Sequence, residues 1–192
     1  MKFKKTIILA ILFSLVYLPG LNAVTNNPYL ARRQNVLVKM SPKGLVILQT
    51  NRQGYRFGYG FQQESNLYYL TGIDEPDVVL VLSKPGIQSP LDDNRIVHSI
   101  LITNPPPHQA STSEAYYQTL QDSLGFDLAC STKEYRKIFK SILAIDTLYT
   151  NIITKNQKDG KTILENRLIK FMEELPQVEI ASPHRLTASL RM

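Results

Sequence analysis

Apolar positions between residues 27 and 48 change from helical to strand spacing, and this change predicts the first two elements of the fold. Asn27 and Pro28 suit the N-cap and the first position of a helix. The residues that define one side of that helix recur at helical spacing: Tyr29, Arg33, Val36, Leu37 and Met40. The run Leu45–Leu48 is too short and too β-branched for a helix, so it predicts a buried strand.

Further apolar runs predict three more strands, at residues 66–70, 77–82 and 96–103. The last of these is apolar along most of its length, which is typical of a strand that is covered on both faces. Proline, glycine and acidic residues between 83 and 95 predict a loop before it.

The segment 66–70 follows an unbroken polar run at residues 62–66. As a strand, it would place Tyr68 and Leu70 on one side and Leu67 and Tyr69 on the other. We expect the polar run to cap the sheet edge through hydrogen bonds to the backbone of the following turn.

The second half of the chain has a helical pattern, interrupted by one more strand at residues 147–154. Ser111 with Glu114 and Ser131 with Glu134 have the spacing of capping boxes. The apolar face after the second box consists of Tyr135, Ile138, Phe139, Ile142 and Leu143, and the opposite side of Lys133, Arg136, Lys137 and Lys140, interpreted as a solvated face. A last long helix is marked by Ile163, Leu164, Leu168, Phe171, Met172 and Leu175.

Strands mixed with helices predict an α/β domain, in which a mixed β-sheet is flanked by helices. Residues 24–181 are assigned to this domain and residues 182–192 to a linker stub. Residues 1–23 have a basic start, a short apolar run and a small residue at the end, which is typical of a signal peptide. A membrane anchor is the alternative, but the apolar run is shorter than the roughly 20 residues that span a bilayer. We therefore expect an exported protein, periplasmic or secreted.

Removal of the leader takes three lysines with it, so the formal charge falls from +6 to +3. This small excess, without a basic stripe interleaved with aromatics, argues against a nucleic-acid partner. We also expect no membrane association after the leader has been cleaved.

Few residues carry chemistry of their own. His98, His108 and His184 are isolated, and His98 is expected at the core or edge of a strand. Cys130 is the single cysteine; it is interpreted as a small buried residue, with a nucleophile as the alternative. Acidic residues at 74, 75 and 77 form a turn, for which a hard-cation site is the alternative.

The segment 57–82 resembles the N-terminal domain of the aminopeptidase P (Xaa-Pro aminopeptidase) family, within the creatinase/prolidase group. The residues that match the family pattern in place are Phe61, Gln63, Glu64, Ser65, Asn66, Tyr68, Tyr69, Leu70, Thr71, Gly72, Glu75, Pro76 and Asp77. The resemblance runs from about residue 28 to the end. Gln62 and Leu67 depart from the pattern, and the chain has no tryptophan where the family commonly has one.

The resemblance implies a second, catalytic domain of the pita-bread type, which holds two manganese ions and cleaves the bond before proline. It also implies that the N-terminal domain shapes the mouth of the active site and makes subunit contacts, so a homo-oligomer is a further expectation. No catalytic residue or metal ligand is transferred to this chain, which we expect to bind no cofactor and to be inactive alone.

Three functions remain open at this stage. The first is the N-terminal domain of an exported Xaa-Pro aminopeptidase, without its catalytic half. The second is a free-standing binding or assembly module, and the third is an unrelated small-molecule-binding α/β domain.

Overall fold

A computed structural model describes residues 27–50, 55–56, 60–61, 63–142, 145–151, 166, 169–171, 173, 178–183 and 186. The predicted leader, most of the predicted last helix and most of the linker stub lie outside these residues. Within the described segments, no helix has both the length and the apolar character needed to cross a membrane.

The described α-helices are α1 (Pro28–Lys39), α2 (Ser65–Thr71), α3 (Ser113–Leu124) and α4 (Tyr135–Lys140). Two 3-10 helices, Pro107–Thr112 and Thr132–Glu134, precede α3 and α4. The strands are β1 (Gly44–Gln49), β2 (Tyr55–Arg56), β3 (Gly60–Phe61), β4 (Val79–Gln88), β5 (Ile96–Ile102), β6 (Leu128–Cys130), β7 (Thr147–Thr150) and β8 (Glu179–Ala181).

Six of these strands form one mixed sheet in the order β6-β5-β4-β1-β7-β8. β4 is antiparallel to both of its neighbours, β1 and β5. The pairs β1–β7, β5–β6 and β7–β8 are parallel. All strands of this sheet except β4 therefore run in the same direction, and their carboxyl ends meet at one edge, called here the carboxyl edge.

Alternating side chains of the central strands supply two apolar cores, one on each face of the sheet. Leu45 and Ile47 of β1 contribute to the core that also contains Tyr135, Ile138 and Phe139 of α4. The alternate residues of β1 belong to the second core, together with side chains of α1 and α2: Val46, Leu48, Val36, Met40, Leu67 and Leu70. The predicted α/β class is confirmed, because helices cover both faces of a mixed sheet.

The predictions for the first helix and for two of the strands are confirmed. The side chain of Asn27 accepts hydrogen bonds from the amides of Tyr29 and Leu30, so it caps α1 as predicted. All six residues of β1 are buried, and β5 lies within one residue of its predicted bounds.

The prediction of a strand at residues 66–70 is wrong, because this segment is the helix α2. The face assignment made for that strand is wrong as well. Leu67 and Leu70 are both buried on the inner side of the helix, whereas the side chain of Tyr68 is 47% exposed. The spacing of three between the two leucines belongs to a helix rather than to a strand.

Other boundaries also differ from the predictions. β4 continues through Pro85 and Gly86 to Gln88, so the loop begins six residues later in the structure than predicted. Gly86 has a φ of 87°, and the register between β4 and β5 shifts between Leu82 and Ile87. The irregularity lets the strand accommodate two residues that would break a regular ladder.

Neither predicted capping box begins an α-helix. Residue 111 lies inside a 3-10 helix, and the N-cap of α3 is Thr112, which makes no side-chain capping bond. Ser131 does accept a hydrogen bond from the Lys133 amide at 3.2 Å, but it caps a 3-10 helix. α4 ends at Lys140 and β7 at Thr150, both earlier than predicted, and Leu143 and residues 152–154 lie outside the described part.

Candidate functional site

The segment that carries the family resemblance folds as a short helix with a defined cap at each end. Glu64 is the N-cap of α2, and its Oε2 accepts a hydrogen bond from the Leu67 amide at 2.8 Å. Its Oε1 accepts a second bond from Asn66 Nδ2 at 2.9 Å. Gly72 ends the helix with a φ of 72°, a left-handed conformation that glycine adopts without steric cost.

The backbone at Gly72 also lies against a tyrosine ring. A Cβ atom at this position would stand 2.4 Å from Cζ of Tyr29. Thr71 Oγ1 donates to the carbonyl of Leu67 at 2.7 Å and accepts from the Ile73 amide at 3.1 Å, which fixes the path of the chain out of the helix.

Gln63 joins this helix to the turn that follows it. Its Nε2 donates to the carbonyl oxygen of Glu75 at 2.8 Å and to Thr50 Oγ1 at 3.2 Å. Its backbone amide donates to Asp74 Oδ1 at 3.1 Å. The predicted hydrogen bonds between the polar run and the turn backbone are therefore present at Gln63, although the element they precede is a helix.

The turn lies at the carboxyl edge of the sheet. Thr50 follows β1 directly, and its Oγ1 accepts a bond from the amide of Val78, just before β4, at 3.0 Å. At the neighbouring strand, Thr103 follows β5, and its carbonyl accepts a bond from the Tyr117 hydroxyl at 3.2 Å. In open α/β sheets this edge is where ligands and functional loops are found.

Exposed polar groups of the turn form the outer surface of this edge. The side chains of Asp74, Glu75, Pro76 and Asp77 are all exposed. Asp77 has a φ of 58°, an uncommon left-handed conformation for a residue other than glycine. The Tyr116 hydroxyl lies 3.5 Å from Glu75 Oε2, and burial together with this carboxylate raises the pKa of Tyr116 to about 12.

Two adjacent arginines of α1 donate hydrogen bonds to the last turn of α2. Arg33 is 1% exposed, and it donates to the carbonyls of Leu70, Leu124 and Gly125 while its guanidinium lies 3.9 Å from the centre of the Phe126 ring. Burial lowers the pKa of Arg33 to about 10, and the Asp127 carboxylate opposes this effect. Because Leu124 and Gly125 lie at the end of α3, Arg33 joins the ends of two helices.

Arg32 makes a more exposed version of the same contact. Its NH1 atom donates to the carbonyl of Tyr69 at 3.0 Å, and the guanidinium lies over the rings of Tyr29 and Tyr69 at 5.3 and 4.3 Å. Sequence reasoning placed Arg33 on the apolar face of the first helix but assigned it no role; a charged residue at such a position is the signal of a buried, paired group.

The structure places the remaining predicted residues as follows. Phe61 lies in β3, which pairs with β2 away from the main sheet, and Ser65 is exposed at the start of α2. Cys130 is buried in β6, and burial followed by the nearby Glu134 carboxylate raises the pKa of its thiol to about 12. A thiol held in this state is a poor nucleophile.

The expectation for His98 is wrong in part. It lies in β5, an interior strand of the sheet, but its side chain is exposed, and Nδ1 lies 3.0 Å from the Ser83 carbonyl. The position behaves as a local edge, because Asp127 Oδ2 rather than a strand accepts the amides of His98 and Ser99, each at 2.8 Å. The side chain of His108 and all of His184 lie outside the described part.

The described residues do not fit the two-ion centre that the resemblance implies for the second domain. Across the described ranges, no three side chains of His, Cys, Asp or Glu lie close enough to hold a metal ion. In the acidic turn, Asp74 Oδ1 instead accepts a hydrogen bond from the Gln63 amide, and Glu75 Oε2 contacts the Tyr116 hydroxyl. No catalytic step is derived from these residues.

The sheet order, the helices on both faces and the capped helix α2 define an α/β domain of the aminopeptidase P N-terminal type. A family model described as "Aminopeptidase P, N-terminal domain" matches residues 29–149. The chain belongs to this family.

Known proteins extend the comparison. Intermediate cleaving peptidase 55 from Saccharomyces cerevisiae is 40% identical over 70 residues, which are 35% of this chain and 13% of that protein. The solved structure of Icp55 from the same yeast has a TM-score of 0.56 at 21% identity, covering 84% of this chain and 35% of that chain. The aminopeptidase PepP of Pseudomonas aeruginosa has a TM-score of 0.60 at 18% identity, covering 82% of this chain and 36% of that chain.

These likenesses to solved structures show the fold. The chain spans little more than a third of the length of the two solved proteins and a smaller part of the curated relative. The third function left open by the sequence, an unrelated small-molecule-binding domain, is excluded by the family assignment.

Proposed function

We propose that this chain is the non-catalytic N-terminal domain of an exported, manganese-dependent Xaa-Pro aminopeptidase. In this role it packs against a peptidase domain and contributes to the mouth of the active site and to subunit contacts. The observation that carries the proposal is the family match over residues 29–149, combined with the position of the turn of residues 74–77 at the carboxyl edge.

The path of the chain supports a role for this edge. β8 is parallel to β7, which is parallel to β1, so β8 also ends at the carboxyl edge, at Ala181. The chain thus leaves the sheet at the same edge as the turn of residues 74–77, and the linker to a peptidase domain would start there. The exposed carboxylates of this turn and the Tyr116 hydroxyl are the groups available to contact it.

Export is part of this proposal and rests on the sequence of residues 1–23 alone. A chain cut after residue 23 keeps Asn27, whose side chain caps α1. Export is tested by N-terminal sequencing of the protein recovered from the exporting host. A mature N-terminus at residue 24 supports it, and retention of Met1 would contradict it.

The activity is tested on two forms of the protein. Residues 24–192, purified with manganese, are expected to release no residue from an Xaa-Pro peptide above background and to hold manganese only weakly by calorimetry. Reading the DNA beyond codon 192 gives the second form. A continuing frame that encodes a domain with the two Asp, one His and two Glu ligands is expected, and the longer protein should cleave the peptide.

The role of the carboxyl edge is tested in that longer protein. Neutralising Glu75→Gln and Asp77→Asn together should raise the KM for an Xaa-Pro peptide several-fold. Asp92→Asn with Asp93→Asn is the matched control, since it removes two exposed carboxylates from the β4–β5 turn at the opposite edge. Equal kinetic effects of the two pairs would contradict the proposed position of the peptidase domain.

The alternative is a free-standing binding or assembly module without peptidase activity. It is favoured if the frame ends after codon 192 and no peptidase domain is encoded nearby. In that case the edge surface would be expected to capture a separately encoded partner or a second copy of the chain.

A further inference from the structure

We propose that one outer surface of α4 and its preceding turn binds the anionic headgroups of a phospholipid membrane. This surface, called the basic stripe, consists of Lys133, Arg136, Lys137 and Lys140. Their spacing of three, four and seven residues places them on one side of a helix. On the other side, Tyr135, Ile138 and Phe139 are buried in the first core.

Within the described ranges, one cation of the basic stripe forms an ion pair. All four side chains are exposed. Lys137 forms an ion pair with Glu134 at 2.8 Å, which is the ion pair found among the described residues. Four cations and one carboxylate leave a charge of +3 within residues 133–140, which equals the +3 of the whole chain without residues 1–23. The net charge of the mature protein is therefore matched by one short surface.

The composition of the stripe suits the surface of an anionic membrane better than a folded protein or a nucleic acid. Protein interfaces are anchored by apolar and aromatic residues. In the part of the chain that the structure describes, the exposed large apolar side chains lie elsewhere: Val38, Tyr68, Leu91, Ile96 and Ile180. Single-stranded nucleic acids stack on exposed aromatics, whereas the aromatic residues of α4 face the core. Clustered Lys and Arg side chains alone are sufficient for attraction to anionic lipid.

This binding would be peripheral, reversible and sensitive to salt, because it rests on surface charges. It departs from the sequence-based expectation that the mature chain has no membrane association. It uses a surface on a face of the sheet rather than the carboxyl edge, so it stands or fails independently of the proposed function.

The test is co-sedimentation of residues 24–192 with vesicles. The leader is left out because its apolar run would bind any bilayer, whereas Asn27, which caps α1, is kept. Vesicles of phosphatidylcholine with an equal amount of phosphatidylglycerol are compared with phosphatidylcholine alone. We expect binding to the mixed vesicles only, and its loss at about 0.5 M salt, where charges are screened within a few ångströms.

Two variants separate the stripe from general charge. Arg136→Gln with Lys140→Gln should lower partitioning to the mixed vesicles about 25-fold, or roughly five-fold per cation. Lys39→Gln with Lys43→Gln removes the same charge from two exposed positions, the last residue of α1 and the residue before β1, and should have a much smaller effect. Circular dichroism confirms that both variants are folded.

Three results would overturn the proposal. They are absence of binding to the mixed vesicles, equal binding to both kinds of vesicle, and an equal loss in the two variants. Binding to a single-stranded RNA of equal phosphate concentration, without binding to vesicles, would assign the stripe to nucleic acid instead.

Discussion

Replacing Arg33 by methionine removes the cation that joins α2 to the end of α3, while it keeps most of the side-chain volume. In the native protein, the guanidinium donates to the carbonyls of Leu70, Leu124 and Gly125 and stacks on Phe126. Methionine offers none of these donors. The three carbonyls lose their side-chain partner at a position where the Leu70 contact is fully buried.

Two opposing terms decide the size of the effect. A hydrogen bond to a charged group contributes about 1.5–3 kcal/mol, so three such bonds represent roughly 4.5–9 kcal/mol. Burial of the guanidinium works against them: its pKa falls to about 10, and a fall of this size corresponds to roughly 3 kcal/mol. The net loss on substitution is therefore about 1.5–6 kcal/mol, a large part of the roughly 5–15 kcal/mol that stabilises a typical domain.

The assay is urea denaturation of residues 24–192, followed by circular dichroism. With a slope of about 1–3 kcal/mol per molar urea, Arg33→Met should lower the midpoint by roughly 0.5 M or more. Arg32→Met is the control, because Arg32 makes one backbone bond and two ring contacts on a more exposed surface. This variant should lose about 1 kcal/mol of stability. Equal midpoints for the two variants would refute the reasoning.

Three further predictions concern single residues. Cys130, with its buried thiol, should react with a thiol reagent at pH 8 only after denaturation; rapid native-state labelling would show that it is accessible. Glu64→Ala should destabilise the domain by about 1–2 kcal/mol in the same urea denaturation, because it removes a helix cap. Glu64→Gln keeps an acceptor oxygen and should lose less stability. Gly72→Ala should lower Tm more than Gly125→Ala. Both glycines have a positive φ, but an added Cβ would lie 2.4 Å from the Tyr29 ring at residue 72 and 3.1 Å from Leu30 at residue 125. Equal losses of Tm would contradict a role for the ring contact.

Much of the sheet could be predicted from the sequence because its central strands are buried on both faces. β1 is apolar from Leu45 to Leu48 and β5 from Ile100 to Ile102, and such runs have few other stable arrangements in a domain of this size. The direction of the strands was not predicted, since it depends on contacts between residues far apart in the chain, such as Leu45 with Leu148.

The helix α2 shows where the apolar pattern led to a wrong prediction. Residues 66–70 are rich in aromatics, which favours a strand by propensity, but propensity is weak against capping and packing. The signals for a helix were present: Glu64 precedes Leu67 by three residues, and Gly72 follows at the position of a C-cap. The contacts of Gln63 with Thr50 and Glu75 could not be read in the same way, because they require the sheet edge to exist first.

The direction of the strands finally limits what each surface of this domain can do. Of the six strands described in the main sheet, β4 alone runs against the others, so only β4 begins at the carboxyl edge and the β4–β5 turn lies at the opposite edge. The chain after β8 therefore leaves the sheet at the same edge at which the turn of residues 74–77 lies. The basic stripe belongs to α4, which packs on one face of the sheet, so a partner at the carboxyl edge would leave a separate surface for a membrane. Kinetic variants at Glu75 and vesicle variants at Arg136 consequently report on different surfaces, and neither result can stand in for the other.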